Sequence, residues 1–295
     1  MIYLSLSLHL YAQATWRGMH ETIGGPQSEA LLHLKKISEY DIRLFSSDFG
    51  YSTHPNDDYR KRKDLLEKML KLPEGTRITL SWHQCRPDIQ EPCTFNTGIA
   101  NTSFDDKEWT QLLTWNSPLN KQWQKQMQIL GEFLQKLAQA KKEIYLRPYH
   151  EMNLPSFWWA DIKNPSHSIQ LYKMFQRHLI SDYKLTNIKW VWSISFHPKY
   201  LEKLSQYYPG DEFVDVLGVD IYPPQKNTAP DFDKAWMILE AISKNKPKAL
   251  TEVSRLPTEA DLKKHPWLYV VPWGENMLRK ENSEEEIKKF FSNRE

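Results

Sequence analysis

Eight short apolar segments recur along the chain, separated by loops and by stretches with helical spacing, and this alternation limits the fold more than any other feature. Alternating strand and helix patterns call for a parallel sheet, and eight such units match a closed (β/α)8 barrel of about 250 residues. The strand candidates are Tyr3–Leu10, Ile42–Asp48, Arg77–His83, Ile144–Leu146, Lys189–Ser195, Phe213–Tyr222, Ala249–Ser254 and Leu268–Trp273. Helical spacing is read at Gln27–Ile37, in DDYRKRKDLLEKMLK, and at Asp105–Thr114, Leu119–Ala140, Ser166–Ser181, Phe232–Ser243 and Ser283–Phe291. Within the longest of these, Leu119, Trp123, Met127, Leu130, Leu134 and Leu137 step by three or four, as a helix face pressed onto a core does. No linker or low-complexity stretch divides the pattern, so residues 1–295 are expected to form a single (β/α)8 domain of the α/β class.

The charge is nearly balanced, 39 basic against 37 acidic residues, with no basic stripe, which argues against nucleic acid and anionic membrane as partners. No apolar run approaches the roughly 18 residues of a transmembrane helix. Twelve Trp, fourteen Tyr and twelve Phe are plentiful for a hydrophilic chain, and they suggest aromatic surface kept for a ligand. Cys85 and Cys93 share one long loop, Gln84–Ser103, and read either as free thiols or as a local disulfide, which would imply an oxidising compartment. The start, MIYLSLSLHLYAQA, is apolar and ends in an A-x-A pattern like a signal peptide. It lacks a positive first region, and its Leu residues alternate with Ser and His as a strand's do, so it is read as structure.

Active groups of such barrels lie where strands run out into the following loops. Those positions here hold Asp48, His83, His150, Glu151, Asp220, Tyr222, Glu252 and Trp273. Glu151 leaves the fourth strand within EIYLRPYHEMNLPSFWW, beside a run of aromatic residues, and Glu252 stands at the end of the seventh. Two carboxyls facing each other across a barrel mouth are the minimal equipment for cleaving a glycosidic bond: one protonates the leaving oxygen while the other attacks or directs water. Apolar rings raise a carboxyl's pKa toward that of a working acid, and they also stack on sugar faces. Tyr222 is positioned to hold the attacking carboxylate ionised through a hydrogen bond.

RPYHEMN followed by FWW resembles the acid/base motif of glycoside hydrolase family 26, a family of retaining (β/α)8 barrels best known for β-mannanases. YYPGDEFVDVLGVDIY resembles that family's sixth-strand segment, ALTEVS its nucleophile strand and TLSWH its third strand. The resemblance implies that Glu151 is the general acid/base and Glu252 the nucleophile, in a retaining mechanism. It implies that His83, His150, Tyr222 and Trp273 surround the sugar that is cleaved, and that Arg147 supports the carboxylates from beneath; Asp48 completes the candidate binding set. One departure stands out, since Ser156 occupies a position where the family carries a stacking Trp. Phe157 or Trp158 is then a substitute sugar platform, or else Trp158 and Trp159 are part of the structure beneath the rim.

The resemblance implies an endo-β-1,4-mannanase acting on mannan or galactomannan, with β-1,3-xylan and mixed-linkage β-glucan as the alternative substrates. A metal-dependent barrel would use the single histidines His9, His83 and His150, but it usually brings His-x-His from one strand, so neither metal nor cofactor is expected. A non-catalytic sugar-binding barrel would have no use for the mutual repulsion of the carboxylate pair. A secreted, monomeric enzyme is the expectation, with any targeting signal absent from this sequence.

Overall fold

Eight parallel strands pair in sequence order, and the last closes on the first. The computed structural model describes residues 15–20, 43–50, 55–89, 93–223 and 229–292. The strands are β1 (Trp16–His20), β2 (Leu44–Asp48), β3 (Arg77–Trp82), β4 (Glu143–Pro148), β5 (Ile188–Ser195), β6 (Val216–Ile221), β7 (Lys248–Val253) and β8 (Tyr269–Pro272). Around and between them run α1 (Pro55–Leu70), α2 (Asp106–Leu113), α3 (Pro118–Gln139), α4 (Pro165–Tyr183), α5 (Phe232–Ile242), α6 (Glu259–Lys264), α7 (Glu275–Glu281) and α8 (Glu284–Ser292). Seven of the eight expected strands lie where the pattern put them, within a few residues at each end.

The first strand does not. Trp16–His20 closes the barrel, pairing Gly18 with Leu44 of β2 and Trp16 with Tyr269 of β8. The segment Tyr3–Leu10, read as the first strand, and the helix read at Gln27–Ile37 lie outside the described residues. Clean apolar-polar alternation misled the reading, because it marks a strand with one wet face, whereas barrel strands are covered on both. The strand WRGMH is buried along nearly its whole length despite carrying Arg, Gly and His.

Two buried clusters follow from that architecture. The smaller joins Leu44, Tyr145, Val191, Val216, Ala249, Tyr269 and Val271, all from strands, and fills the barrel's interior. The larger packs the outer strand faces against the helices, with Trp123, Met127, Leu130, Leu134 and Leu137 of α3 buried in it. Helix starts are fixed locally: Ser117 caps α3 ahead of Pro118, and Asp105 with Glu108 forms a reciprocal cap on α2. Above the apolar interior the filling turns polar. A Cβ on Gly218 would lie 2.6 Å from Thr251 Cγ2 and 2.7 Å from the Ser193 Cβ, so glycine there leaves room for the charged layer that carries the site.

Candidate active site

The chain leaves β4 through a corner that only strong local anchoring can hold. Tyr149 and Glu151 both have positive φ, 49° and 53°, a conformation costing non-glycine residues about 1 kcal/mol or more. Tyr149 turns outward, accepting from Trp123 Nε1 at 2.9 Å and donating to Gln84 Oε1 at 2.8 Å. The Glu151 backbone N–H donates to Ser193 O at 3.0 Å, and its carbonyl accepts from Leu154 N at 2.8 Å. Asn153 exchanges two bonds with the backbone of Ser195, each 2.9 Å. The left-handed corner is therefore clamped to α3, to the loop after β3 and to the end of β5, and it holds the Glu151 carboxyl beside the barrel mouth.

Glu252 is aimed by a different device. Along β6 and β7, Val219 pairs with Leu250, but the next residue, Asp220, pairs with Glu252, which leaves Thr251 as an extra residue on β7. The pairing of β7 with β8 slips between Leu250 and Val253 as well. Strict alternation would send Thr251 and Glu252 to opposite faces, and a bulge lifts that constraint. Thr251 Oγ1 donates to Asp220 Oδ1, while Glu252 reaches the same charged layer.

Arg147 organises that layer. Its Nη1 donates to Asp220 Oδ2 at 2.7 Å and to Ser193 Oγ at 3.1 Å, and its Nη2 donates to Glu252 Oε1. The other oxygen of Glu252, Oε2, accepts from the Tyr222 hydroxyl. Both carboxylate oxygens of Glu252 are thus engaged by donors. Burial, reinforced by the Glu252 charge, raises the Tyr222 pKa well above the ordinary phenol value, so its hydroxyl stays a donor. Arg147 supports Glu252 and Asp220 directly, whereas the turn after Pro148 carries Glu151 away from its strand face.

Glu151 has the opposite environment. Burial, followed by the negative charge of Glu252, pushes its carboxyl up to about 7, against the pull of a Ser195 hydrogen bond and of Arg147. A carboxyl raised in this way, beside a second carboxylate held by two donors, fits an acid facing a base or nucleophile.

A second polar chain borders the pair. Asp48 accepts from Ser81 Oγ at 2.7 Å and meets His83 Nδ1 at 2.8 Å, and His83 Nε2 faces His150 Nε2 at 3.1 Å. Burial opposes the charge on His83, yet Asp48 overcomes it and its pKa is raised. Burial and the Arg147 charge lower that of His150 well below the ordinary value. Only one nitrogen can carry the proton between the rings, and of the two His83 is the more basic. His150 Nδ1 is buried and has no hydrogen-bond partner among the described residues. Trp273 stacks on His20, ring centres 3.7 Å apart and 24° between planes.

Asp48, Arg147, His83, His150, Glu151, Tyr222, Glu252 and Trp273 therefore converge on one end of the barrel. Trp158 does not join them. It is fully buried, donates Nε1–H to Gln84 O at 2.7 Å and packs edge-on to Phe104, beneath the rim and out of reach of a sugar. His20, Gln84, Asn153, Ser193, Ser195 and Phe95 belong to the site or its supports without having been singled out. His20 was hidden by the misplaced first strand. Asp220 appeared among the strand ends without a role, and its pairing with Arg147 supplies one.

Cys85 and Cys93 are joined in a disulfide, which resolves the two readings of that loop. Among the described residues, no group of three or more His, Cys, Asp or Glu side chains is arranged to hold a metal ion.

An acid and a tethered carboxylate at the carboxyl ends of β4 and β7 of a closed barrel define a glycoside hydrolase architecture. The chain belongs to glycosyl hydrolase family 26, whose model matches residues 57–293. It is similar to a mannan endo-1,4-beta-mannosidase of Thermothelomyces thermophilus, 26% identical over 67% of this chain and 37% of the relative. The chain thus spans well under half the length of that relative. Among solved structures it resembles the family 26 protein GH26A of a Muricauda species, with TM-score 0.82 and 29% identity over 95% of this chain and 89% of the other. It also resembles a beta-mannanase from a symbiotic protist of the termite Reticulitermes speratus, complexed with a gluco-manno-oligosaccharide. That likeness has TM-score 0.82 and 25% identity, covering 96% and 88% of the two chains.

Proposed function

We propose that the protein is a retaining endo-β-1,4-mannanase that cleaves mannan or galactomannan outside the cell, as a monomer. The observation that carries the reading is the divided carboxylate pair: Glu252 engaged by Arg147 and Tyr222, and Glu151 buried and raised to about 7. Glu252 attacks the anomeric carbon as the Glu151 proton passes to the glycosidic oxygen, and the bond to the leaving sugar breaks. A covalent glycosyl-Glu252 ester and an ionised Glu151 result. Glu151 then takes a proton from water, which attacks the ester and releases a sugar of the original configuration.

The substrate reading is supported by the mannosidase named among its relatives and by the oligosaccharide held by a similar structure. The Cys85–Cys93 bridge supports an oxidising, extracellular setting, in keeping with polysaccharide degradation. The test is reducing-sugar release from β-mannan, galactomannan, lichenan and β-1,3-xylan, with Glu151→Ala and Glu252→Ala run beside the parent. Release from mannans that falls by several orders of magnitude in both variants supports the assignment. Release confined to lichenan or xylan moves the substrate and keeps the mechanism, and wild-type rates in either variant would sink it.

A further inference from the structure

The departure at Ser156 leaves open which aromatic surface meets the sugar on the leaving-group side, next to the acid Glu151. We infer that Phe95, delivered from the disulfide-closed loop after β3, is that platform; this rests on the hydrolase reading above. The loop lies directly against the place where the Trp is missing. Asn101 N donates to Ser156 O at 2.8 Å, Ala100 bridges to Phe157, and Trp158 N donates to Ile99 O at 3.1 Å. A single π-helical turn, Phe95–Ile99, stands at this junction, with Thr94 and Thr97 capping each other at its start.

From the acid outward, the aromatic rings form a graded series. Trp159 is fully buried and donates Nε1–H to His150 O at 2.8 Å. Phe157 stacks on it at 4.5 Å and 11°, and is 6% exposed. Phe95 meets Phe157 edge-on at 6.2 Å, lies 5.9 Å from His83, and is 41% exposed. Phe95 alone of the three has a face free for a pyranose ring.

The bridge fixes the turn from beneath. A Cβ on Gly98 would lie 2.4 Å from Cys93 Sγ and 2.6 Å from Cys85 Sγ, so glycine lets the turn sit flush on the disulfide. Gly98 O also accepts from Arg86 N at 2.8 Å. The disulfide therefore orders a binding surface as well as a loop, and binding should depend on its oxidation state.

The experiment measures calorimetric binding of mannopentaose to Glu252→Gln, with and without Phe95→Ala, and kcat and KM of Phe95→Ala in the otherwise native protein. Loss of one stacking ring is expected to weaken binding and raise KM about tenfold, with kcat changed far less, and Phe95→Tyr should restore both to within about twofold. Gly98→Ala, and the Cys85→Ser/Cys93→Ser protein, should weaken binding in the same direction. Undiminished affinity in Phe95→Ala overturns the proposal. So does a variant in which Tm and kcat fall while KM stays put, since that marks a structural plug. If the polymer panel selects a glucan or xylan, the corresponding pentasaccharide is used and the Phe95 comparison stands on its own. A parent that binds no such pentasaccharide overturns both readings.

Discussion

Glu151 should be a residue that the fold keeps at a cost. Burial and the Glu252 charge raise its pKa from 4.5 to about 7, so the folded protein resists the ionisation that the unfolded chain undergoes freely. A group whose folded pKa is raised lends stability at low pH and loses it as pH climbs from the unfolded value through the folded one. The penalty is thus nearly absent below pH 4.5 and complete above about pH 7, where a shift of this size amounts to about 3 kcal/mol. Glu151→Gln retains the shape and stays neutral at every pH. It should therefore be more stable than the parent by up to about 3 kcal/mol at pH 8, and by well under 1 kcal/mol at pH 4.5. Urea unfolding of both proteins at the two pH values reads the difference directly. An equal gain at both would show that the side chain's charge is not what the fold resists, and the acid role would lose its physical basis.

Four further outcomes follow from the same geometry. The alkaline limb of kcat/KM should fall near pH 7 as Glu151 ionises; in Glu252→Gln, NMR titration should find the Glu151 pKa lowered but still above 4.5, because burial is the larger of its causes. Tyr222→Phe removes one donor from the Glu252 carboxylate and should cut kcat/KM by roughly ten- to a hundredfold, measured on an oligosaccharide. Trp158→Phe leaves Gln84 O without its indole partner, and should lower stability by about 1–3 kcal/mol in thermal unfolding while KM moves less than twofold.

The barrel was legible because its strands are short apolar runs spaced by helices, and the two glutamates were legible because strand ends point to the mouth. What the sequence could not convey is backbone that breaks its own rules. The left-handed corner at Tyr149 and Glu151 is held by Trp123, Gln84 and Ser193, residues distant in sequence, so no local signal marks it. The extra residue on β7 is invisible in ALTEVS, which reads as an ordinary strand. His20 escaped because a perfect alternation upstream outweighed the buried but irregular WRGMH. Trp158 and Trp159 are neighbours in an aromatic run, and only the packing shows that both are sealed under the rim while Phe95 stays open.

The additional residue in β7 also separates two tasks that a regular strand would tie together. Below it, the phase of the strand is dictated by what the interior must swallow at Ala249. Above it, the phase is reset, and Glu252 answers to Arg147 and Tyr222. Ironing out the slip with Thr251 kept, so that Thr251 pairs with Asp220, would turn Glu252 toward the helices and erase the nucleophile without altering its identity. Anyone transplanting this chemistry onto another eight-stranded scaffold would need to carry over that dislocation along with the side chains.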